Sequence, residues 1–300
     1  MRYNSIKGCD IMRELINMHM HTSSSDGEYD VKKLFEMIKQ TNLKTISITD
    51  HDTIDAYHEI KDIDLEDITV INGCEFSAKP WIKKDGARLH ILGYDMDLEN
   101  KDLHNILKQK RENNYHNFFL QLEYLKKDYS ISFPKEEYNK IIKKHDFGRP
   151  DIALLLLKYG YVKNLDEAFQ KYLNPIFIKS EPLRRKIEAE DIFDVIKRSN
   201  GYISIAHIIS NRLSDEEIEK FLTFAKENKV DALELYHPNH DASYRNYLLK
   251  KIKKYDFLIS GGTDYHGPHI KPERLLENNT YDFIKIKKLS LCDQILKKNL

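Results

Sequence analysis

Residues 201–267 read GYISIAHIISNRLSDEEIEKFLTFAKENKVDALELYHPNHDASYRNYLLKKIKKYDFLISGGTDYHG. Three short apolar runs, 201–208, 232–238 and 257–267, are separated by helical patterns at 214–228 and 241–255. Such alternation predicts parallel β/α architecture, either a barrel or a doubly wound sheet. The same rhythm runs toward the amino terminus. Strands are expected at 14–22, 45–52, 69–78 and 87–96, with helices near 30–42, 54–61 and 188–199. In the first of these helices Val31, Leu34, Phe35 and Ile38 recur at i, i+3, i+4 and i+7 behind Asp30, a cap residue. Between 101 and 173 the pattern is helical only, with helices at 101–127, 134–144, 150–159 and 165–173 and a close at Pro175 and Pro182. The reading is seven strands with a helical insertion after the fourth, then a weaker strand at 281–287 and a short last helix.

Lys+Arg and Asp+Glu are both 48, so no global basic field attracts long duplex nucleic acid. Cys9, Cys74 and Cys292 are odd in number and form no Cys-x-x-Cys, which argues against a disulfide framework or thiolate zinc site and fits a reducing cytoplasm. No apolar run approaches the ~20 residues of a membrane helix. Residues 1–11 lack the apolar core of a signal peptide and are expected to be a disordered leader. No obligate protein partner is signalled.

His19, His21, His51, Glu75, His90, His207, His237, Asp264 and His266 all fall at or just beyond the carboxyl ends of expected strands, the edge where such folds build active sites. His19/His21 and Asp264/His266 are spaced i, i+2, so each pair points to one face. Imidazole and carboxylate without thiolate suit Zn²⁺, Mn²⁺ or Fe²⁺. So many ligands exceed what one tetrahedral ion uses, and paired ions suit a phosphoryl displacement.

NMHMHTSSSDGEYD, SITDHDT, GCEFSA, RLHILGYD, Ala206-His207 and GGTDYHGP, in this order, resemble the PHP (polymerase and histidinol phosphatase) family from Ile16 to Pro268. The resemblance is to stand-alone members of the nucleotide phosphatase and 5′-to-3′ exoribonuclease type. It implies a distorted (β/α)7 barrel formed by residues 12–97 and 183–300, with a helical insertion domain at 98–182. It also implies three divalent ions: one on His19, His21, Glu75 and Asp264, one on a bridging Glu75 with His90 and His207, and one on Asp26, His51 and His266. The family's Ala-His-Pro-Gly-Arg is here Ala206-His207-Ile208-Ile209-Ser210-Asn211-Arg212, which alters the loop that carries Arg212.

The implied activity is hydrolysis of a phosphate ester of a nucleotide or short oligonucleotide by a metal-activated hydroxide. Asp264, Glu75 and His237 are the candidate catalytic residues; Arg149, Arg212 and His237 are the candidate phosphate contacts. Arg149 precedes Pro150 at a helix start, a position suited to anions. A small-metabolite phosphatase acting on histidinol phosphate is the alternative, and the insertion tells against it. A non-catalytic PHP module is the alternative of another class. Asp50 and Asp52 alternate away from His51 and are expected to orient imidazoles. His58, His104, His116, His145 and His269 read as solvated, His240 as a helix-start residue, and the lysines at 250–254 and 285–288 as solvated faces.

Overall fold

The computed structural model describes residues 15–82, 87–144, 147–277 and 289–299. The first half contains β1 (Leu15–Asn17), α1 (Val31–Ile38), β2 (Leu43–Ile46), α2 (Ala56–Ile60), β3 (Thr69–Val70), β4 (Gly73–Ala78) and β5 (Leu89–Tyr94). Five helices follow: α3 (Lys101–Tyr129), α4 (Lys135–Ile141), α5 (Arg149–Lys158), α6 (Leu165–Ala168) and α7 (Asn174–Lys179). Alternation then resumes with α8 (Ala189–Arg198), β6 (Tyr202–Ile205), α9 (Asp215–Glu227), β7 (Ala232–Tyr236), α10 (Ala242–Tyr255), β8 (Leu258–Gly261) and α11 (Ser290–Lys298). The leader and the strand expected at 281–287 lie outside the described residues.

The fold is mixed α/β, and three expectations about its sheet are corrected. Among the described residues eight strands are defined rather than seven, because the 69–78 run divides at Ile71 and Asn72. They form a three-stranded sheet, β1-β2-β3, and a five-stranded sheet, β4-β5-β6-β7-β8, rather than one closed ring. Isolated bridges, Met20 to Tyr265 and His51 to Glu75, link the two sheets. Nor is the sheet all parallel: β5 runs antiparallel to both β4 and β6. Only residues 79–88 connect β4 to β5, fewer than the dozen or so a parallel crossover needs. The chain therefore reverses.

Helix α1 buries Val31, Leu34, Phe35 and Ile38, the four positions its spacing predicts, and Asp30 caps Lys33 N. Helix α3 serves two cores. Leu103 and Ile106 pack with Phe193, Phe221 and Met20 beside the sheets, whereas Phe118, Leu122 and Leu125 pack with Ile152, Leu156 and Leu173 of the helical segment. Pro175 does not close that segment as expected. It sits in the first turn of α7, where a missing N–H costs nothing.

Glu219 on α9 accepts from Lys251, Lys254 and Tyr255 of α10, and these bonds hold its carboxyl at about 2. A carboxyl lowered on folding stabilises the protein above the unfolded carboxylate range, and the contribution disappears as pH falls through about 2. Solvent screens this network. Glu219→Gln is expected to lower stability by about 1 kcal/mol at pH 7 and by only a small fraction of that at pH 2, read from denaturant midpoints. An equal loss at both pH values would assign the effect to packing.

Candidate metal centre

The chain leaves β1 in an extended path, so Met18 and Met20 enter the core while His19 and His21 face the opposite side. Backbone bonds hold this path between the sheets: Asp264 N donates to His19 O at 2.8 Å, His21 N to Tyr265 O at 2.8 Å and Thr49 N to Met20 O at 2.8 Å. Close approach at β8 needs Gly262, since a Cβ there would lie 2.4 Å from His19 N. The reversal of β5 explains His90. It stands near the amino end of its strand, not the carboxyl end, yet reaches the same edge because the strand runs the other way.

Glu75, fully buried on β4, is the meeting point. Its Oε1 lies 2.8 Å from His90 Nδ1 and 2.8 Å from His207 Nε2. Its Oε2 lies 3.1 Å from His19 Nε2, 3.2 Å from His21 Nε2 and 3.4 Å from His51 Nδ1. Three groups of side chains converge closely enough to hold ions: His19, His21, Glu75 and Asp264; His21, Asp26, His51 and His266; and His51, Glu75 and His90. Eight of the nine sequence-read ligands thus fall into these groups. The ninth, His207, touches Glu75 directly.

These residues suit divalent cations. Both ring nitrogens of His21 are buried without a hydrogen bond, although carboxylate oxygens of Asp26, Glu75 and Asp264 stand 3.1–3.6 Å away. Donor atoms facing one another in this way call for a cation between them. Burial lowers His21 far, lowers His266, and brings His90 to about 4, keeping these rings neutral. Burial opposes ionisation of Glu75, but His51, His19 and His90 hold it well below the usual range. Neutral imidazole and ionised carboxylate are the forms that bind metal. His19 differs: burial opposes its proton, but Glu234 and Glu75 override this and raise it to about 9.

The next layer orients the first. His266 Nδ1 donates to Asp264 O at 2.7 Å, which leaves Nε2 facing Asp26 Oδ1 at 3.2 Å. Asp264 presents Oδ1 to His21 and His266, and Oδ2 to His237 Nε2 at 3.2 Å and to Arg274. His237 is buried, and its Nδ1 accepts from Asn239 N at 3.0 Å. Both of its nitrogens are thereby engaged. Asp50 and Asp52 do not orient imidazoles as expected. Asp50 accepts from Thr22 and Ser25, and Asp52 accepts from Ser77 N and pairs with Lys110. Asp50 thus holds the loop after His21, and Asp52 ties β4 to α3.

Arg149 bonds Asn174 and stacks over Phe177 and Phe169, within the helical segment. Arg212 is exposed and left-handed (φ 52°) after a 3-10 turn. His240, read as a helix-start residue, directly precedes the Asp241 cap of α10; it is buried, bonds Leu235 O and is held at about 4 by burial. Sequence reading missed Glu234, Lys271 and Arg274. The signal for Glu234 was an acidic residue inside the apolar strand ALELY; Lys271 and Arg274 had none.

A buried glutamate shared by histidines from separate strands is a ligand set of the kind a metal-dependent hydrolase of mixed α/β fold uses. The chain belongs to the PHP domain family, whose model matches residues 17–208. It is similar to the 5′-3′ exoribonuclease Rnm of Escherichia coli (strain K12), 26% identical over 258 residues, 85% of this chain and 86% of the relative. It is also similar to a phosphoribosyl 1,2-cyclic phosphate 1,2-diphosphodiesterase of Eggerthella lenta, 22% identical over 268 residues, 85% and 97% of the two chains. Among solved structures it resembles a Bifidobacterium adolescentis protein assigned as a metal-dependent phosphoesterase, with TM-score 0.70, 25% identity and coverage of 95% and 96%. The protein is a PHP-domain metal-dependent phosphoesterase, and no helix among the described residues is long and apolar enough to cross a membrane.

Proposed function

We propose that the protein hydrolyses a phosphate ester of a nucleotide or short oligonucleotide, with up to three divalent ions (Mn²⁺, Fe²⁺ or Zn²⁺) on His19, His21, Asp26, His51, Glu75, His90, His207, Asp264 and His266. The observation that carries this reading is the overlap of three ligand groups through His21, His51 and Glu75, which suits closely spaced ions. Bound there, such ions activate a water and neutralise the phosphate. Glu75 bridges the groups and, once ionised, keeps five imidazoles directed inward. Asp264 orients the attacking water through the oxygen that faces His21, and His237 and Arg274 fix the other oxygen. With both nitrogens engaged, His237 serves as a positioning residue for Asp264. The helical insertion, taken as residues 98–182, bounds the substrate's leaving portion. Its Lys110 reaches the site's edge, donating to Ser77 O at 2.5 Å. Arg149 and Arg212 remain phosphate contacts for substrate that extends beyond the metals.

The likeness to the Escherichia coli exoribonuclease over most of both chains supports an RNA-end or nucleotide substrate. The Eggerthella lenta relative supports a second reading, a cyclic phosphodiesterase. Purified protein with Mn²⁺ is to be assayed on AMP, a 3′,5′-bisphosphate nucleotide, 5′-phosphorylated RNA oligomers, a cyclic phosphate ester and histidinol phosphate. Turnover of the nucleotides or RNA, abolished by a chelator and restored by Mn²⁺, is expected. Turnover of the cyclic ester or histidinol phosphate alone selects the corresponding alternative. No turnover with metal bound overturns the enzymatic assignment.

A further inference from the structure

Residues 268–276 follow the last ligand motif and carry two cations into the site. Glu28 holds this segment in place: its carboxylate accepts from His269 N at 3.0 Å and pairs with His269 Nδ1 at 2.7 Å. A turn at Gly267 (φ +104°) starts the segment, with Lys271 N on Gly267 O and Arg274 N on Lys271 O. Lys271 Nζ lies 2.7 Å from His266 Nε2 and 3.9 Å from Asp264 Oδ2. Arg274, 9% exposed, places Nη1 on Asp264, while its buried Nε finds no hydrogen-bond acceptor. Glu273 Oε1, at 3.6 Å, is too distant to serve.

A buried guanidinium and a half-buried ammonium beside this cluster have an electrostatic consequence. With divalent ions bound, the charges of Asp26, Glu75, Asp264 and Glu234 are already balanced, and a buried cation without a counter-charge is costly. The site then needs an anion. We propose that Lys271 and Arg274 bind the substrate's phosphate and select a doubly charged terminal phosphomonoester over an internal phosphodiester. The guanidinium offers N–H donors in a fork that matches phosphate oxygens, and the ammonium adds a mobile point charge. This inference rests on the phosphoesterase reading and narrows its substrate class.

Metal-loaded full-length protein and the variants Lys271→Met, Arg274→Gln and Arg274→Lys decide it. Inorganic phosphate binding is measured by calorimetry, bound metal by mass spectrometry, and kcat/KM on a nucleoside monophosphate against a phosphodiester. Lys271→Met and Arg274→Gln are expected to weaken phosphate binding about 10- to 100-fold with metal content retained. The preference for monoester over diester falls about tenfold, and Arg274→Lys recovers part of the binding. Unchanged phosphate affinity overturns the proposal, as does loss of metal in both variants, which would assign the cations to seating Asp264 and His266. Phosphate binding by the wild type that is lost in the variants, without turnover of any ester, supports the proposal while removing the phosphoesterase reading. Absence of phosphate binding by the wild type removes the proposal itself.

Discussion

Glu75→Ala is expected to lower kcat by a factor on the order of a thousand or more, with loss of bound metal. No other side chain of the centre gathers so many imidazoles: His19, His21, His51, His90 and His207 all approach its two oxygens within 2.8–3.4 Å. Removing the carboxylate leaves five imidazoles from four strand ends facing one another without the anion that binds them together. Glu75→Gln keeps the shape but loses the charge, and its amide N–H groups oppose ring nitrogens that should be free to ligate. It is expected to fail nearly as completely. Metal analysis and steady-state kinetics on the same preparation, with circular dichroism as the control for folding, provide the check. A Glu75→Ala protein that kept its metal and full activity would dismantle the assignment.

Glu234→Ala is expected to weaken metal binding 10- to 100-fold and to reduce activity at limiting Mn²⁺ about as much. This carboxylate touches no expected ion, yet it holds two ligands at once. Oε1 pairs with His19 Nδ1 at 2.8 Å, fixing the tautomer that leaves Nε2 toward Glu75. Oε2 accepts His207 N–H at 2.7 Å and so supports a backbone at φ 22°, a region that costs energy for any residue with a Cβ. Although burial opposes its ionisation, His19 and His237 bring its carboxyl to about 2. Excess Mn²⁺ should restore much of the activity of Glu234→Ala but little of that of Glu75→Ala. Equal responses of the two variants to added metal would erase the distinction between ligand and support.

Much of the centre was legible locally. A strand alternates its side chains, so His19/His21 and Asp264/His266 revealed their shared faces by spacing alone, and the apolar set of α1 revealed its buried stripe in the same way. His90 was recognised as a ligand for a reason that the structure replaces. The sequence reading placed it at a carboxyl strand end, but it reaches the edge because ten connecting residues cannot make a parallel crossover. The closed seven-stranded ring was an expectation from the family resemblance, since alternation left a barrel or a doubly wound sheet open. Alternation counts elements but does not specify which edges pair, and here the seams between sheets are short bridges at the ligands themselves.

By itself, then, the sequence determined the ligand types, their strand-end placement and the α/β class, because those follow from local periodicity and side-chain chemistry. Only the tertiary structure decided which carboxylate is supporting and which cations enter the site. Glu234 meets His19 across 215 residues, and Arg274 reaches Asp264 from a segment with no periodic pattern at all. Such contacts arise from the path of the chain around the sheets, and residue spacing along the sequence carries no trace of them.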